Sequence, residues 1–171
     1  ANEWNEVTSL TNLSHVVNNE ESELEERFIE LLKNDFKSKS NSDFEELTEN
    51  GFEDLTNANL VDEVIKKQGT TLLVLNSVCG CAAGACRPGV LMAVQNATNK
   101  PDNLATSFAG FDKDAVNKVR EYLLPYPPSS PAIALFKDGN LVSMVERHQI
   151  EGRPAQAIAH HLIAEFDKYC N

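Results

Sequence analysis

From residue 57 onward the sequence predicts an α/β domain with a central mixed sheet flanked by helices, and three observations carry that reading. Strand-like and helix-like patterns alternate along the chain, a turn signal near its end joins two strands, and the acidic charge is confined to what precedes. Written out, the expected order is β-α-β-α-β-β-α. Crossovers between the first strands require parallel pairing, and the terminal hairpin requires antiparallel pairing.

The elements follow in order. Asn57 is placed to cap a helix that runs to Lys67, and Gly69 stops it. TTLLVLNSV, residues 70–78, is a continuous apolar run suited to a buried strand. CAAGACRPGVLMAVQNAT reads as a helix interrupted near Pro88, whose ring and missing N–H break the hydrogen-bond ladder. NLATSFAG is the second strand, and DKDAVNKVREYLL is a helix opened by Asp112. After the loop PYPPSSP, the segments PAIALFK and LVSMVER form two strands joined at Asp138-Gly139-Asn140. PAQAIAHHLIAEFDKY closes the chain as an amphipathic helix with Pro154 in its first turn.

Charge separates this domain from what comes before. The 171 residues carry a formal net charge of −11, yet residues 1–63 hold 17 acidic side chains against 4 basic ones, and the remainder is slightly positive. Residues 1–40 are also rich in Asn, Ser and Glu, the composition of a solvated extension. Within it Leu24, Phe28, Leu31, Leu32 and Phe36 recur at helical spacing, so a short amphipathic helix is expected near 21–37. The domain organisation is therefore an acidic extension over 1–40 and a folded domain over 41–171.

The same composition excludes several function classes. Net negative charge argues against nucleic acid as a partner. The longest apolar run falls far short of the roughly 20 residues that span a bilayer, and the N-terminus lacks a secretory signal, so a soluble, cytoplasmic protein is expected. As the chain starts at Ala1, a reducing organelle lumen is the second compartment the reading admits, should Ala1 follow a removed targeting peptide.

Candidate chemistry concentrates in NSVCGCAAGACRPG, residues 76–89, which holds three of the four cysteines. Packing does not require two thiols separated by one glycine, which leaves thiol chemistry, metal or cluster ligation, and a structural disulfide. Cys79 follows a buried strand and opens a helix, where free N–H groups and the helix dipole favour a thiolate, so it is the expected nucleophile. Cys81 lies within the first turn, close enough to attack a sulfur bound to Cys79, and Gly80 supplies the backbone freedom so short a connection demands. A Cys79–Cys81 ring, one residue smaller than that of a CxxC pair, is strained and easily reduced, which suits exchange and not a staple. The ligand alternative uses Cys79, Cys81 and Cys86 as a metal or iron–sulfur carrier, although the spacing matches no common four-ligand site.

Other residues read more simply. Cys86 stands about two helical turns beyond Cys79 and is expected half-buried. Arg87 is expected to be solvated or to attract a carboxylate-bearing thiol or a target surface. His148 is a surface group, the adjacent His160 and His161 point apart and form no metal pair, and Cys170 is expected to be mobile at the chain end.

Taken together, GFEDLT (51–56), TTLLVLNSVCGCAAG (70–84), RPG (87–89), KPDNLATSFAG (100–110), PSSPA (128–132), ERHQIEG (146–152) and FDKYC (166–170) resemble the bacilliredoxins of the thioredoxin superfamily. The likeness covers roughly residues 42–171, and the extension and Cys86 depart from the family pattern. The resemblance implies a thioredoxin-like fold in which Ser130-Pro131 is a cis bond beside Cys79, with the Ser130 backbone available to an extended target. It implies a thiol-disulfide oxidoreductase that removes a small thiol such as bacillithiol from mixed disulfides on client proteins. Cys79 and Cys81 are the implied catalytic pair, Ser130, Pro131 and Gly80 the substrate-binding residues, and no metal or organic cofactor is required. Partners are thiolated or disulfide-bonded clients and the small thiol itself, with no nucleic acid and no membrane. A protein disulfide isomerase or reductase is the alternative within the same chemistry.

Overall fold

The computed structural model describes Leu24, Arg27 and residues 41–170. Leu24 and Arg27 are helical, and Leu24 is 64% exposed; Phe28, Leu31, Leu32 and Phe36 of the expected amphipathic helix lie outside the described residues. The chain divides after Asn41, and the fold is that of the second unit.

That unit runs α1 (Asn41–Thr48), β1 (Glu53–Asp54), α2 (Ala58–Ile65), β2 (Thr70–Asn76), a wide helical turn (Ala82–Cys86) continuing into α3 (Arg87–Asn96), β3 (Asn103–Phe108), α4 (Lys113–Tyr122), β4 (Ala132–Lys137), β5 (Asn140–Val145), α5 (Arg147–Ile150) and α6 (Ala155–Tyr169). The sheet has strand order β1-β3-β2-β4-β5. β1 and β2 are parallel to β3, whereas β4 is antiparallel to both β2 and β5. The mixed sheet expected from crossovers followed by a hairpin is therefore present.

Local chemistry sets the boundaries. Asn57 Oδ1 accepts the Leu60 N–H at 3.0 Å, satisfying one of the unpaired donors at the start of α2. Gly69 leaves that helix with φ +91, and a Cβ there would stand 2.5 Å from Asp102 Oδ2. Asp138 and Gly139 both have positive φ, 50 and 80, the conformation of the tight two-residue turn that matches strand twist. Before Pro88 the helix widens: the Arg87 N–H bonds to the Ala82 carbonyl, one residue further back than in an α-helix. The interruption expected at Pro88 thus takes the form of a wide turn with no break in the helix.

Strand β2 is buried along its whole length, and its alternation feeds two cores. Leu72 and Val74 pack with Val90, Ile133, Ile158, Leu162 and Phe166 on the face covered by α3 and α6. Leu73 and Leu75 pack with Val61, Ile65, Val116, Val119 and Phe136 under α2 and α4. Each buried side chain of this size contributes about 1.5–3 kcal/mol. The first face holds the CxC helix in place through a close approach at Gly89, where a Cβ would lie 2.7 Å from Ile158 Cβ and 2.9 Å from the Ala155 carbonyl oxygen. No described helix is long and apolar enough to cross a membrane.

Three short elements go beyond the sequence-based order. α1 has only Phe44 and Leu47 as apolar side chains to mark a helical period, α5 is a single turn of four residues, and β1 is a two-residue polar strand, Glu53-Asp54, held at the sheet edge by pairing with Ala105 and Thr106. Its existence is a tertiary consequence of β3 having a free side.

Candidate active site

At the end of β2 the chain turns through Ser77 and Val78 into the cysteine segment, and sheet register decides what faces it. Ala132 pairs with Leu75 across the antiparallel β2/β4 ladder, so Ser130 and Pro131 arrive at the same end of the sheet as Ser77 and Cys79. The Ser130–Pro131 peptide is cis, and Pro131 is buried. Gly80 does not have a positive φ, and a Cβ there would meet nothing within 4 Å; its place in this state is an open surface.

Cys79 and Cys81 are both half-buried thiols. The Cys79 carbonyl accepts from the Ala82 and Ala83 N–H groups at 3.0 and 3.2 Å, which makes Cys79 the cap of the helical segment. Its Sγ accepts the Ser77 hydroxyl at 3.3 Å. Partial burial opposes the Cys79 thiolate, but hydrogen bonds from the Cys81 thiol, the Ser77 hydroxyl and the Ala82 and Cys81 amides outweigh it, so the pKa falls below that of an ordinary thiol. Cys81 moves the other way: burial, its hydrogen bond to Cys79 and the Cys79 charge hold it protonated, partly offset by Arg147. One sulfur is held toward the thiolate, and the other stays a thiol that donates to it.

Arg87 is not a solvated or target-facing residue. It is 2% exposed, its Nε donating to Glu46 Oε2 at 2.6 Å and a terminal nitrogen pairing with the Asp43 carboxylate. The other terminal nitrogen donates to Asn76 Oδ1 at 3.2 Å and the Ser77 carbonyl at 3.3 Å. Burying a guanidinium costs several kcal/mol unless its donors are met, and here α1 and the end of β2 meet them. No local signal marks this burial, because both carboxylates come from α1, an element outside the sequence-based order.

The other cysteines also differ from expectation. Cys86 is fully buried in the core between sheet and helices, where desolvation pushes its pKa to about 12. Cys170 is not loose: its N–H bonds to the Phe166 carbonyl at 2.8 Å and its side chain is half-buried near Thr70, at the opposite end of β2 from Cys79. Among the described residues no group of three or more His, Cys, Asp or Glu could hold a metal ion, which removes support from the three-cysteine ligand set. His148, His160 and His161 are all exposed.

A polar groove of 430 Å³ lies beside Ser130, lined by Pro127, Pro128, Ser129, Glu146, Arg147, His148 and Glu151. Arg147 anchors its floor: its N–H donates to Ser129 Oγ at 2.8 Å and its guanidinium to the Ser130 carbonyl at 3.4 Å. Its side chain remains 47% exposed, with Glu151 at 3.6 Å. The same guanidinium acts electrostatically on Cys81, which ties the groove to the cysteine pair.

Known proteins match this arrangement. The family model described as disulphide isomerase matches residues 38–170. A bacilliredoxin of Cytophaga hutchinsonii is 61% identical over 108 residues, covering 63% of this chain and 79% of that protein. A bacilliredoxin of Staphylococcus aureus is 51% identical over 110 residues, covering 64% and 75% respectively. In fold, the chain matches a structure from work on the thiol resolving mechanism of yeast mitochondrial 1-Cys peroxiredoxin via glutathione/thioredoxin systems, with TM-score 0.50, 15% identity, and coverage of 70% of this chain and 96% of that one. The long reach of the first match along the domain, and the identity of the relatives over most of their own length, mean that the chain belongs to the bacilliredoxin family and has its thioredoxin-like fold.

Proposed function

We propose that this thiol-disulfide oxidoreductase removes small thiols of the bacillithiol type from mixed disulfides on client proteins, with Cys79 as nucleophile and Cys81 as resolving thiol. The observation that carries the proposal is the donor set on Cys79 Sγ, the Ser77 hydroxyl and the Cys81 thiol, which favours a thiolate in a half-exposed position. In the first step the Cys79 thiolate attacks the small-thiol sulfur. The S–S bond between the small thiol and the client cysteine breaks, the client cysteine leaves as a thiolate and takes a proton from water, and Cys79 carries the small thiol in a new S–S bond. That step also removes the Cys79 negative charge and its acceptance of the Cys81 proton, two of the causes that hold Cys81 protonated. Cys81 is thereby released to ionise and attack Cys79 Sγ, expelling the small thiolate and leaving a Cys79–Cys81 disulfide. An external thiol attacking the adduct is the competing resolution and leaves both cysteines reduced.

Substrate placement follows from the neighbouring surfaces. Val78, 48% exposed beside Cys79, offers a client an apolar contact. The Ser130 segment offers backbone to an extended client stretch. The groove receives the small-thiol half, and Arg147 supplies the cation for a carboxylate, a part that Arg87 is too deeply buried to take. No metal or organic cofactor enters these steps.

The description of the matching family model supports a second reading in which the same Cys79 attack falls on a disulfide between two protein cysteines. One experiment separates the two. Cys81→Ser mixed with a client carrying a mixed disulfide to bacillithiol should accumulate one small-thiol adduct per chain on Cys79, seen by intact mass and released by reductant. A covalent complex with the client and no small-thiol adduct would favour the isomerase reading. Adduct formation by Cys79→Ser but not by Cys81→Ser would reverse the assigned roles.

A further inference from the structure

The buried guanidinium of Arg87 does more than close a helix contact. Its donors reach both α1, through Asp43 and Glu46, and the last turn of β2, through Asn76 Oδ1 and the Ser77 carbonyl. Asn76 is itself doubly tied: its Oδ1 accepts the Ser77 N–H at 2.8 Å while its Nδ2 donates to the Asp43 carbonyl at 3.0 Å. Both backbone polar groups of Ser77 are therefore held by this cluster, its N–H through Asn76 and its carbonyl directly by Arg87. What remains of Ser77 is the hydroxyl, and it points at Cys79 Sγ. Asn76, Ser77 and Arg87 are 1%, 8% and 2% exposed, so water does not substitute readily for any of these bonds.

A fully paired buried cation is an expensive way to hold a helix, since well-packed apolar side chains often serve stability as well or better. Its place against the turn that leads into Cys79 therefore points to a positional role. We propose that Arg87 is a positioning residue for thiol exchange, fixing Asn76 and the Ser77 backbone so that the Ser77 hydroxyl is aimed at the Cys79 sulfur. Arg87 touches neither sulfur nor substrate, and its charge is balanced by two carboxylates. It acts through the geometry of the Ser77 turn. Lysine cannot replace it, because a single ammonium does not present forked donors to α1 and to β2 at once. The inference rests on Cys79 being the nucleophile.

The test is the pH midpoint of Cys79 alkylation by iodoacetamide, located by peptide mapping, in Ser77→Ala, Arg87→Lys and the double variant, with folding followed by circular dichroism. Ser77→Ala should raise the midpoint by about one pH unit, a tenfold loss of thiolate below it. Arg87→Lys should raise it by a similar amount, and the double variant should show no further shift, because both changes remove one hydrogen bond. Asn76→Ala, which cuts the same connection while leaving the Arg87 ion pairs, should repeat the shift and decides the matter if Arg87→Lys does not fold. A folded Arg87→Lys with a wild-type midpoint, or single shifts that add in the double variant, would overturn the positioning role. If the label moves to another cysteine in the wild-type protein, the assignment of the nucleophile fails and the inference falls with it.

Discussion

The two ends of strand β2 handle a nearby thiol in opposite ways. At its C-terminal end the buried, carboxylate-paired Arg87 fixes the turn, and hydroxyl, thiol and amide donors converge on Cys79, lowering its pKa. At its N-terminal end the fixing group is an anion: Thr70 donates its N–H and its hydroxyl to Asp102 Oδ2 at 2.7 and 2.8 Å. Cys170 sits beside that carboxylate, where burial and the Asp102 charge raise its pKa despite a hydrogen bond from Thr70. Both sulfurs are half-buried, so exposure does not distinguish them. The difference lies in whether the neighbours donate protons or carry negative charge, and it favours a thiolate at one end of the strand and a thiol at the other.

The largest effect expected from this contrast is its abolition by one atom. Cys79→Ser should eliminate exchange on a thiolated client, because a serine hydroxyl is not ionised near neutral pH, whereas Cys170→Ser should leave the rate within about twofold. A large loss in the second variant would break the comparison. Next comes Gly69→Ala at the Cys170 end. With φ +91 and a Cβ 2.5 Å from Asp102 Oδ2, it should cost about 1–3 kcal/mol in urea unfolding and leave the Cys79 alkylation midpoint unchanged.

Cys86→Ser is a smaller perturbation within the CxC helix itself. A hydroxyl in that apolar core should lower stability by about 1–2 kcal/mol, with client dethiolation continuing at near the wild-type rate. The smallest effect concerns Asp102, whose pKa is lowered first by the Thr70 amide and then by the Thr70 hydroxyl. A carboxyl with a depressed folded pKa stabilises the protein above its unfolded value of 3.8, and that contribution is lost as pH falls through the folded value. Asp102→Asn should therefore flatten the fall of the melting temperature below pH 3.8, with no change near neutrality in the slope against pH.

How much of this was legible in the sequence depends on the range of the interaction. Buried β2, the Asn57 cap, the Asp138-Gly139 turn and the disturbance at Pro88 are local, each written in a few neighbouring residues, and they appear as read. The cis Ser130–Pro131 bond followed from the family likeness; spacing statistics alone favour trans. The burial of Arg87 is not legible locally because both its carboxylate partners lie more than 40 positions away on a helix with only two apolar side chains to mark it. Cys86 was placed half in solvent for a related reason. Seven residues at regular helical spacing would return Cys86 to the half-exposed face of Cys79, but the wide turn over Ala82–Cys86 breaks that spacing, and the Cys86 side chain lies in the core. Ser77 is absent from the sequence-based site, and its one local signal is a hydroxyl two residues before a cysteine at a helix start.

Cys79 is expected to be the ionised sulfur, and site-resolved alkylation tests that most directly. Fully reduced protein is exposed briefly to iodoacetamide at about pH 6, where a thiol of ordinary pKa is almost wholly protonated, and the label on each of the four cysteines is quantified after digestion. Cys79 should carry at least about ten times the label of Cys81 or Cys170, with Cys86 unlabelled until the protein is denatured. Label on Cys81 equal to or above that on Cys79 would contradict the assignment.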